Sequence, residues 1–170
     1  MTEQTQNASN ITLRPVVAEN YDFLLHLYAS TRADEMAMVP WTDEQRQSFV
    51  RSQFDAQQDH YGRKYPSANH DVILSTDREV GHLHVARLEN EIRIVDLTLL
   101  PPERNSGTGT YLLKQLLEES RQTGKDIRIY VEEFNPSLTL FKRLGFRVIG
   151  QEGFHLLLEH TSAHTTDSVV

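Results

Sequence analysis

Cysteine is absent from the 170-residue chain, so no disulfide, thiolate metal site or cysteine nucleophile belongs to its fold or chemistry. Glycine (8) and proline (6) are few, which excludes collagen-like and low-complexity architectures. No run approaches the roughly 18 consecutive apolar residues of a membrane span. The opening MTEQTQNASN also lacks the basic and apolar segments of a secretory signal. A membrane partner is therefore not expected, and the expected location is cytoplasmic. Dense basic runs are lacking too, with 17 Lys and Arg against 24 Asp and Glu, a net charge of -7. Nucleic acid needs clustered cations for its phosphates, so it is not an expected partner. The acidity is compatible with a cationic acceptor.

What is present suits one folded domain: 38% apolar and 24% charged residues over a length that buries a sizeable core. Residues 1–9 and 161–170 are polar or small without a buried-face pattern and read as loose tails around a domain at 10–160. ITLRPV (11–16) reads as a strand. AENYDFLLHLYASTR pairs Phe23 with Leu27 and Leu24 with Tyr28 at helical spacing. Thr42-x-x-Gln45 is a capping box that opens a second helix carrying Phe49, Val50 and Phe54. DVILS, EVGHLHVARL and EIRIVDLTLL then read as antiparallel strands, with turns at Asp77-Arg78 and Glu89-Asn90. Leu112, Leu113, Leu116 and Leu117 mark an amphipathic helix stopped near Gly124. DIRIYVEE is a further strand, NPSLTLFKRLG a short helix, and FRVIG and GFHLLLE closing strands.

Between EIRIVDLTLL and the leucine-faced helix stands Arg104-Asn-Ser-Gly107-Thr-Gly109. Unpaired N–H groups and the aligned peptide dipoles make a helix start attractive to anions, and glycines let the backbone approach one closely. A phosphate cradle and an ordinary helix start both fit this fragment alone. The phosphate loop GxxxxGK[ST] is absent, and GxGxxG fails at Leu112.

This segment matches the [QR]-x-x-G-x-[GA] signature of the GNAT superfamily of N-acetyltransferases. NPSLTLFKRLGF (135–146) resembles that family's downstream N-P-x-L-x-L-Y-x-R-L-G-F segment at similar spacing. The resemblance extends over roughly residues 11–159 and is strongest after residue 90. It implies an α/β fold: a mixed, mostly antiparallel sheet flanked by about four helices and splayed between the strands ending at Leu100 and near Glu132. It implies acetyl-CoA as cosubstrate, with no metal, an amine as acceptor, and self-association into a homodimer as in many relatives.

In residues, the resemblance implies that Arg104, Asn105, Ser106, Gly107, Thr108, Gly109 and Thr110 hold the pyrophosphate. Leu97, Thr98 and Leu99 would hold the pantetheine arm through their backbone, while Asn135 and Phe141 line the other side. Phe141 stands where many members carry the tyrosine that protonates the leaving thiolate, and a phenyl ring has no such proton. Tyr130, Ser137 or an ordered water are alternatives for that acid, and a thiolate that leaves unaided is a further one. A non-catalytic acyl-CoA-binding module of the same fold is the competing reading that Phe141 keeps open. Arg93 falls near the strand position where some relatives carry a glutamate base, so that role does not transfer. Asp96, a carboxylate within an apolar strand, and Glu132 at a strand end are the candidate catalytic residues. A buried structural hydrogen bond for Asp96 and a solvated strand end for Glu132 are the alternatives.

His82 and His84 alternate on one strand face, a pattern suited to metal or to lining an acceptor site, but no third ligand is recognisable. TRADEMAMVPW (31–41) is expected between the first two helices, with Trp41 either an acceptor-site residue or a hydrophobic anchor. Gln53, Gln57, Tyr61 and Tyr65 form either an acceptor-lining group or a solvated helix face.

Overall fold

The computed structural model describes residues 10–162. The chain begins with β1 (Ile11–Pro15), a 3₁₀ turn at Ala18–Asn20, and helices α1 (Tyr21–Ala37) and α2 (Asp43–Lys64). Strands β2 (Asn69–Ser75), β3 (Arg78–Arg87) and β4 (Glu91–Leu99) follow, then a 3₁₀ turn at Pro101–Glu103 and α3 (Thr108–Thr123). The chain continues through β5 (Asp126–Glu132), α4 (Ser137–Arg143), β6 (Arg147–Glu152) and β7 (His155–His160). Among the described residues seven strands form one sheet in the order β1-β2-β3-β4-β5-β7-β6. Within it β4 and β5 pair in parallel, joined by the crossover that α3 supplies, and the other neighbours are antiparallel. This is the expected mixed, mostly antiparallel sheet with four α-helices.

Local chemistry accounts for most boundaries. Thr42 Oγ1 accepts the Gln45 N–H at 3.1 Å and Gln45 Oε1 accepts the Thr42 N–H at 2.9 Å, the reciprocal capping box at the head of α2. Gly124, with φ +73°, ends α3 in the left-handed conformation that glycine adopts without a Cβ clash. The β2–β3 turn sits one residue earlier than its sequence suggests. Thr76 and Asp77 both have positive φ, and Arg78 already belongs to β3. Most of TRADEMAMVPW is helical, because α1 continues to Ala37 rather than ending near Arg32.

The sheet has two differently built faces. Leu83 and Val85 of β3, Ile92 and Ile94 of β4, and Ile127, Ile129 and Val131 of β5 share a core with Leu112, Leu113 and Leu116 of α3. Each such fully buried side chain is worth roughly 1.5–3 kcal/mol, which fixes α3 against β4 and β5. The opposite face, where His82 and His84 alternate with those core positions, is met by α1 and α2. Ser162, within the stretch expected as the C-terminal tail, is buried, and its N–H donates to Asp126 Oδ1 at 2.9 Å. Of the expected tails at 1–9 and 161–170, residues 1–9 and 163–170 lie outside the described residues. Among the described residues no helix is long and apolar enough to cross a membrane.

Candidate functional site

The site begins with one extra residue. His84 lies opposite Asp96 and Val85 opposite Ile94, so Val95 is a β-bulge in β4. A bulge bends its strand, and the parallel pairing with β5 stops at Ile94 and Ile129, just where the bulge begins. From Val95 to Leu99 the β5-side edge of β4 therefore has no strand partner among the described residues, while its other edge stays paired to β3. Gly81 permits this close approach of β3 to β4, since a Cβ there would collide with Thr98 O.

Beyond the free edge, the chain turns through Pro101–Glu103 into the loop 104–107 and the head of α3. Asn105 has φ +64° and Gly107 +90°. The first amide bonded back from α3 is that of Tyr111, which donates to Gly107 O at 2.9 Å. The N–H groups of Ser106, Gly107, Thr108, Gly109 and Thr110 have no acceptor among the described residues. Ser106 Oγ donates to Glu103 O at 2.6 Å and lies 3.0 Å from Thr108 Oγ1, so the loop is braced by its own side chains. Gly107 has open space where a Cβ would stand, and its left-handed φ strains any other residue. The loop is thus a backbone cradle with donors to spare, and positive helix-end potential favours an anion there. The Arg104 side chain folds back, its Nε donating to Leu99 O at 3.4 Å.

Across the opening, Glu132 ends β5 with 44% of its side chain exposed and lies 3.8 Å from His155 Nε2. Asn135 Oδ1 accepts the Ser137 N–H at 2.9 Å, so that oxygen is committed to starting α4. Phe141 is 3% exposed and packs edge-on to Phe146, 5.2 Å between ring centres. Its ring belongs to the same core as α3. Tyr130, one candidate for the missing acid, is exposed on β5 with the Arg93 guanidinium over its ring at 5.3 Å.

Asp96 follows the bulge, on the face opposite that core. Its Oδ1 accepts the Thr98 hydroxyl at 3.0 Å, and its Oδ2 lies 3.1 Å from His82 Nε2. Burial pushes its pKa up, but attraction to His82 and the hydrogen bonds from His82 and Thr98 outweigh this and hold the carboxyl below its usual range. His82 is itself buried, and its Nδ1 lies 2.8 Å from His70 Nε2. His70 stacks on His84, rings 4.3 Å apart and 11° from parallel. Tyr61 of α2 meets His84 edge-on at 5.8 Å. Burial, reinforced by the neighbouring His82, lowers His70 to about 3 and His84 to about 4. Both are neutral imidazoles near pH 7. Burial, then the nearby Asp96 charge, pushes the Tyr61 phenol up.

Sequence reasoning missed His70, whose strand was read as starting at Asp71. The β2–β3 register brings it opposite His84 and next to His82. The facing nitrogens of His70 and His82 sit at hydrogen-bonding distance, and among the described residues no group of three His, Asp or Glu is arranged to hold a metal ion. Trp41 packs edge-on against Phe49 at 5.2 Å, and both rings are exposed. A concavity of about 350 Å³ lies between α1 and α2, lined by residues such as Leu25, Met36, Arg46 and Val50. Neither β4 nor α3 contributes to it.

This fold recurs in solved structures. The PaiA N-acetyltransferase of Thermoplasma acidophilum, in complex with coenzyme A, superposes with a TM-score of 0.67 at 16% identity, covering 89% of this chain and 98% of that one. An acetyltransferase of Thermus thermophilus gives 0.62 at 15% identity, over 89% and 97%. The ribosomal-protein-S18-alanine N-acetyltransferase of Escherichia coli gives 0.62 at 12% identity, over 94% and 99%. No curated protein sequence matches. At such identities the superpositions speak for the fold alone. The family model described as the acetyltransferase (GNAT) domain matches residues 40–162, from the end of the α1–α2 connection through the bulged strand, the cradle and β7. The chain therefore belongs to the GNAT acetyltransferase family, whose chemistry is acyl transfer from coenzyme A.

Proposed function

We propose that this protein transfers an acetyl group from acetyl-CoA to a primary amine of a small molecule or protein. The observation that carries the reading is the row of unpaired N–H groups from Ser106 to Thr110 beside the free edge of β4. A coenzyme A pyrophosphate is the kind of anion such donors suit. Arg104 and Asn105 complete the loop around it. Leu97, Thr98 and Leu99 run along the free edge, where main-chain groups can bond a pantetheine amide and polarise a thioester carbonyl. Asn135 and the helix carrying Phe141 form the opposite wall. The amine nitrogen attacks the carbonyl carbon, the C–S bond breaks, and the thiolate leaves with the bonding pair. Asp96 and Glu132 are the carboxylates we assign to removing protons from the amine, and they lie on the same sheet face, on either side of the opening. That the solved PaiA relative was crystallised with coenzyme A supports the cosubstrate.

The second reading, an acyl-CoA-binding module without turnover, is favoured by one observation: Phe141 is buried and has no proton to give the thiolate. Thermal shift with acetyl-CoA, followed by thiol release over a broad panel of amines, separates the two. Acetyl-CoA at about 100 times its dissociation constant stabilises the fold by roughly 2.7 kcal/mol. Absence of any shift at saturation sinks both readings. A shift without thiol release leaves the binding module.

A further inference from the structure

Two aromatic rings stand in water at the start of α2. Trp41 is 38% exposed and Phe49 40%, although they pack edge-on with their planes 65° apart. A lone exposed apolar residue is ordinary, but a contiguous pair beside a hollow is a place for a partner to cover. With Glu44, Gln45 and Ser48 the two rings line a concavity of about 400 Å³. Met38, in the same connection from α1, is 87% exposed.

The charge lining this hollow has one sign. Glu44 has no ion-pair or hydrogen-bond partner among the described residues. Arg46, two residues along α2, is engaged elsewhere: Nη1 donates to Asp43 Oδ1 at 3.1 Å and Nη2 to Val39 O at 2.8 Å. The positive end of the α2 dipole accounts for acids at 43 and 44, but it gives no reason for two rings to stand exposed beside them. A ring face and a free carboxylate attract the same thing. The face carries the negative part of the ring's quadrupole, and tryptophan holds a cation best among the side-chain rings. A guanidinium lies flat on such a ring while its edge donates to a carboxylate, and an ammonium fits the corner between two rings.

We infer that this hollow binds a basic side chain, lysine or arginine, of a polypeptide acceptor, at a place separate from the amine that is acetylated. The acceptor part of this rests on the transfer reading above. No residue of β4, β5 or α3 lines the hollow, so a cation held here is not the nitrogen that reacts beside the free edge of β4. A molecule that engages both places must be long, and an extended polypeptide covers about 3.3–3.6 Å per residue. Exposed Met38 offers such a chain further apolar contact, which a small amine has no means to use. The net charge of -7 favours the approach of a basic polypeptide. Trp41, Phe49 and Glu44 thus select which polypeptides are acetylated and take no part in the chemical step.

Trp41 is the chain's single tryptophan, so its fluorescence reads the site without a label and without turnover. Blocked tripeptides with a central arginine or lysine are expected to give a saturable change in emission that weakens with added salt. Citrulline, the neutral counterpart of arginine, is expected to bind about 10-fold more weakly. Glu44→Gln and Phe49→Leu change exposed residues, and each is expected to weaken the arginine peptide about 3-fold. An equal response to citrulline, or an arginine response unchanged in either variant, overturns the cation site. Thiol release then tests the acceptor role, with peptides that carry a free amino terminus and one arginine, or citrulline, several residues along. The arginine peptides are expected to show a KM about 10-fold lower at equal kcat, an advantage that falls to about 3-fold in Glu44→Gln. A wild-type KM indifferent to arginine at every spacing overturns the polypeptide assignment. A normal fluorescence response with no thiol release from any amine overturns the transfer reading instead, and with it the acceptor role, while the cation site stands.

Discussion

The cradle before α3 and the histidine face of β2–β4 meet at the bulged end of one strand, yet they are built from different material. The cradle is backbone: five unpaired N–H groups, two positive-φ residues and side chains that brace the loop rather than reach outward. The histidine face is side chain: an aspartate, three imidazoles and a tyrosine, ordered by hydrogen bonds and ring contacts across three strands and a helix. A backbone site tolerates exchange of many side chains but not of a residue that sets φ. A side-chain row breaks at whichever member is replaced. The two should therefore fail differently: the cradle by losing ligand, the histidine face by changing its pH response.

Gly107→Val tests the cradle and carries the largest expected effect. The left-handed φ of +90° costs a β-branched residue roughly 1–2 kcal/mol, enough to lower the apo melting temperature without unfolding the domain. The larger consequence is for acetyl-CoA, whose dissociation constant should rise at least about 100-fold, removing most of the roughly 2.7 kcal/mol thermal stabilisation. Calorimetric titration of the folded variant measures this. Affinity kept within a few-fold would remove Gly107 from the pyrophosphate site.

The histidine face answers to pH instead. His84 binds its proton at about 4 in the folded protein because burial disfavours the cation, against about 6.5 in the unfolded chain. The unfolded state thus holds more protons between those values, so stability rises with pH across that window and is lost as pH falls from about 6.5 to 4. His70, lowered to about 3, extends the loss in the same direction. Asp96, held below its usual range, contributes stability that is lost only at lower pH, below about 3.9. The expected loss for His84 alone is on the order of 3 kcal/mol between pH 7 and 4, by the energy of a pKa unit. Urea midpoints across that range measure it, and His84→Gln should flatten the slope. A flat wild-type profile would mean that these imidazoles are not buried as neutral groups.

The two regions were unequally legible in the sequence. RNSGTG between a strand and a leucine-faced helix identifies the cradle because its determinants are local: glycines at fixed spacing, a helix start, an apolar stripe. The capping box at Thr42 and the stop at Gly124 are legible for the same reason. Asp96 stands out only as a charge in an apolar strand, and nothing local says what satisfies it. Its partners, His82 and His70, are supplied by antiparallel register, a non-local property, and the Val95 bulge that turns Asp96 to that face has no sequence signal of its own. Phe141 shows the converse. The motif places it at the thiolate, while packing against Phe146 buries its ring in the core.

Phe141→Tyr asks whether that ring reaches the reacting end of the opening, with an effect of intermediate size. A hydroxyl added at a position 3% exposed costs about 1–2 kcal/mol unless it finds a partner. The expected outcome is a modest fall in stability and no gain in kcat. Thermal melts and thiol release decide it. A kcat that rises several-fold would mean the hydroxyl projects into the opening and supplies the proton that the phenyl ring lacks.

Thr98→Val is the smallest and the sharpest test of separation. Valine keeps the branched shape on β4 but removes the hydroxyl that donates to Asp96 Oδ1 at 3.0 Å. With 27% of the Asp96 side chain exposed, water can replace that donor, so the stability loss should stay below about 1 kcal/mol. The backbone of Thr98 still pairs with His82 and still lines the free edge. Acetyl-CoA affinity should therefore be unchanged while the Asp96 pKa rises toward its ordinary value, because one of the bonds holding it down is gone. A double variant with Gly107→Val should show additive effects on acetyl-CoA affinity within about 0.5 kcal/mol, as independent sites do. A larger coupling, measured by calorimetric titration of both single variants and the double, would mean that bulge, carboxylate and cradle move as one unit.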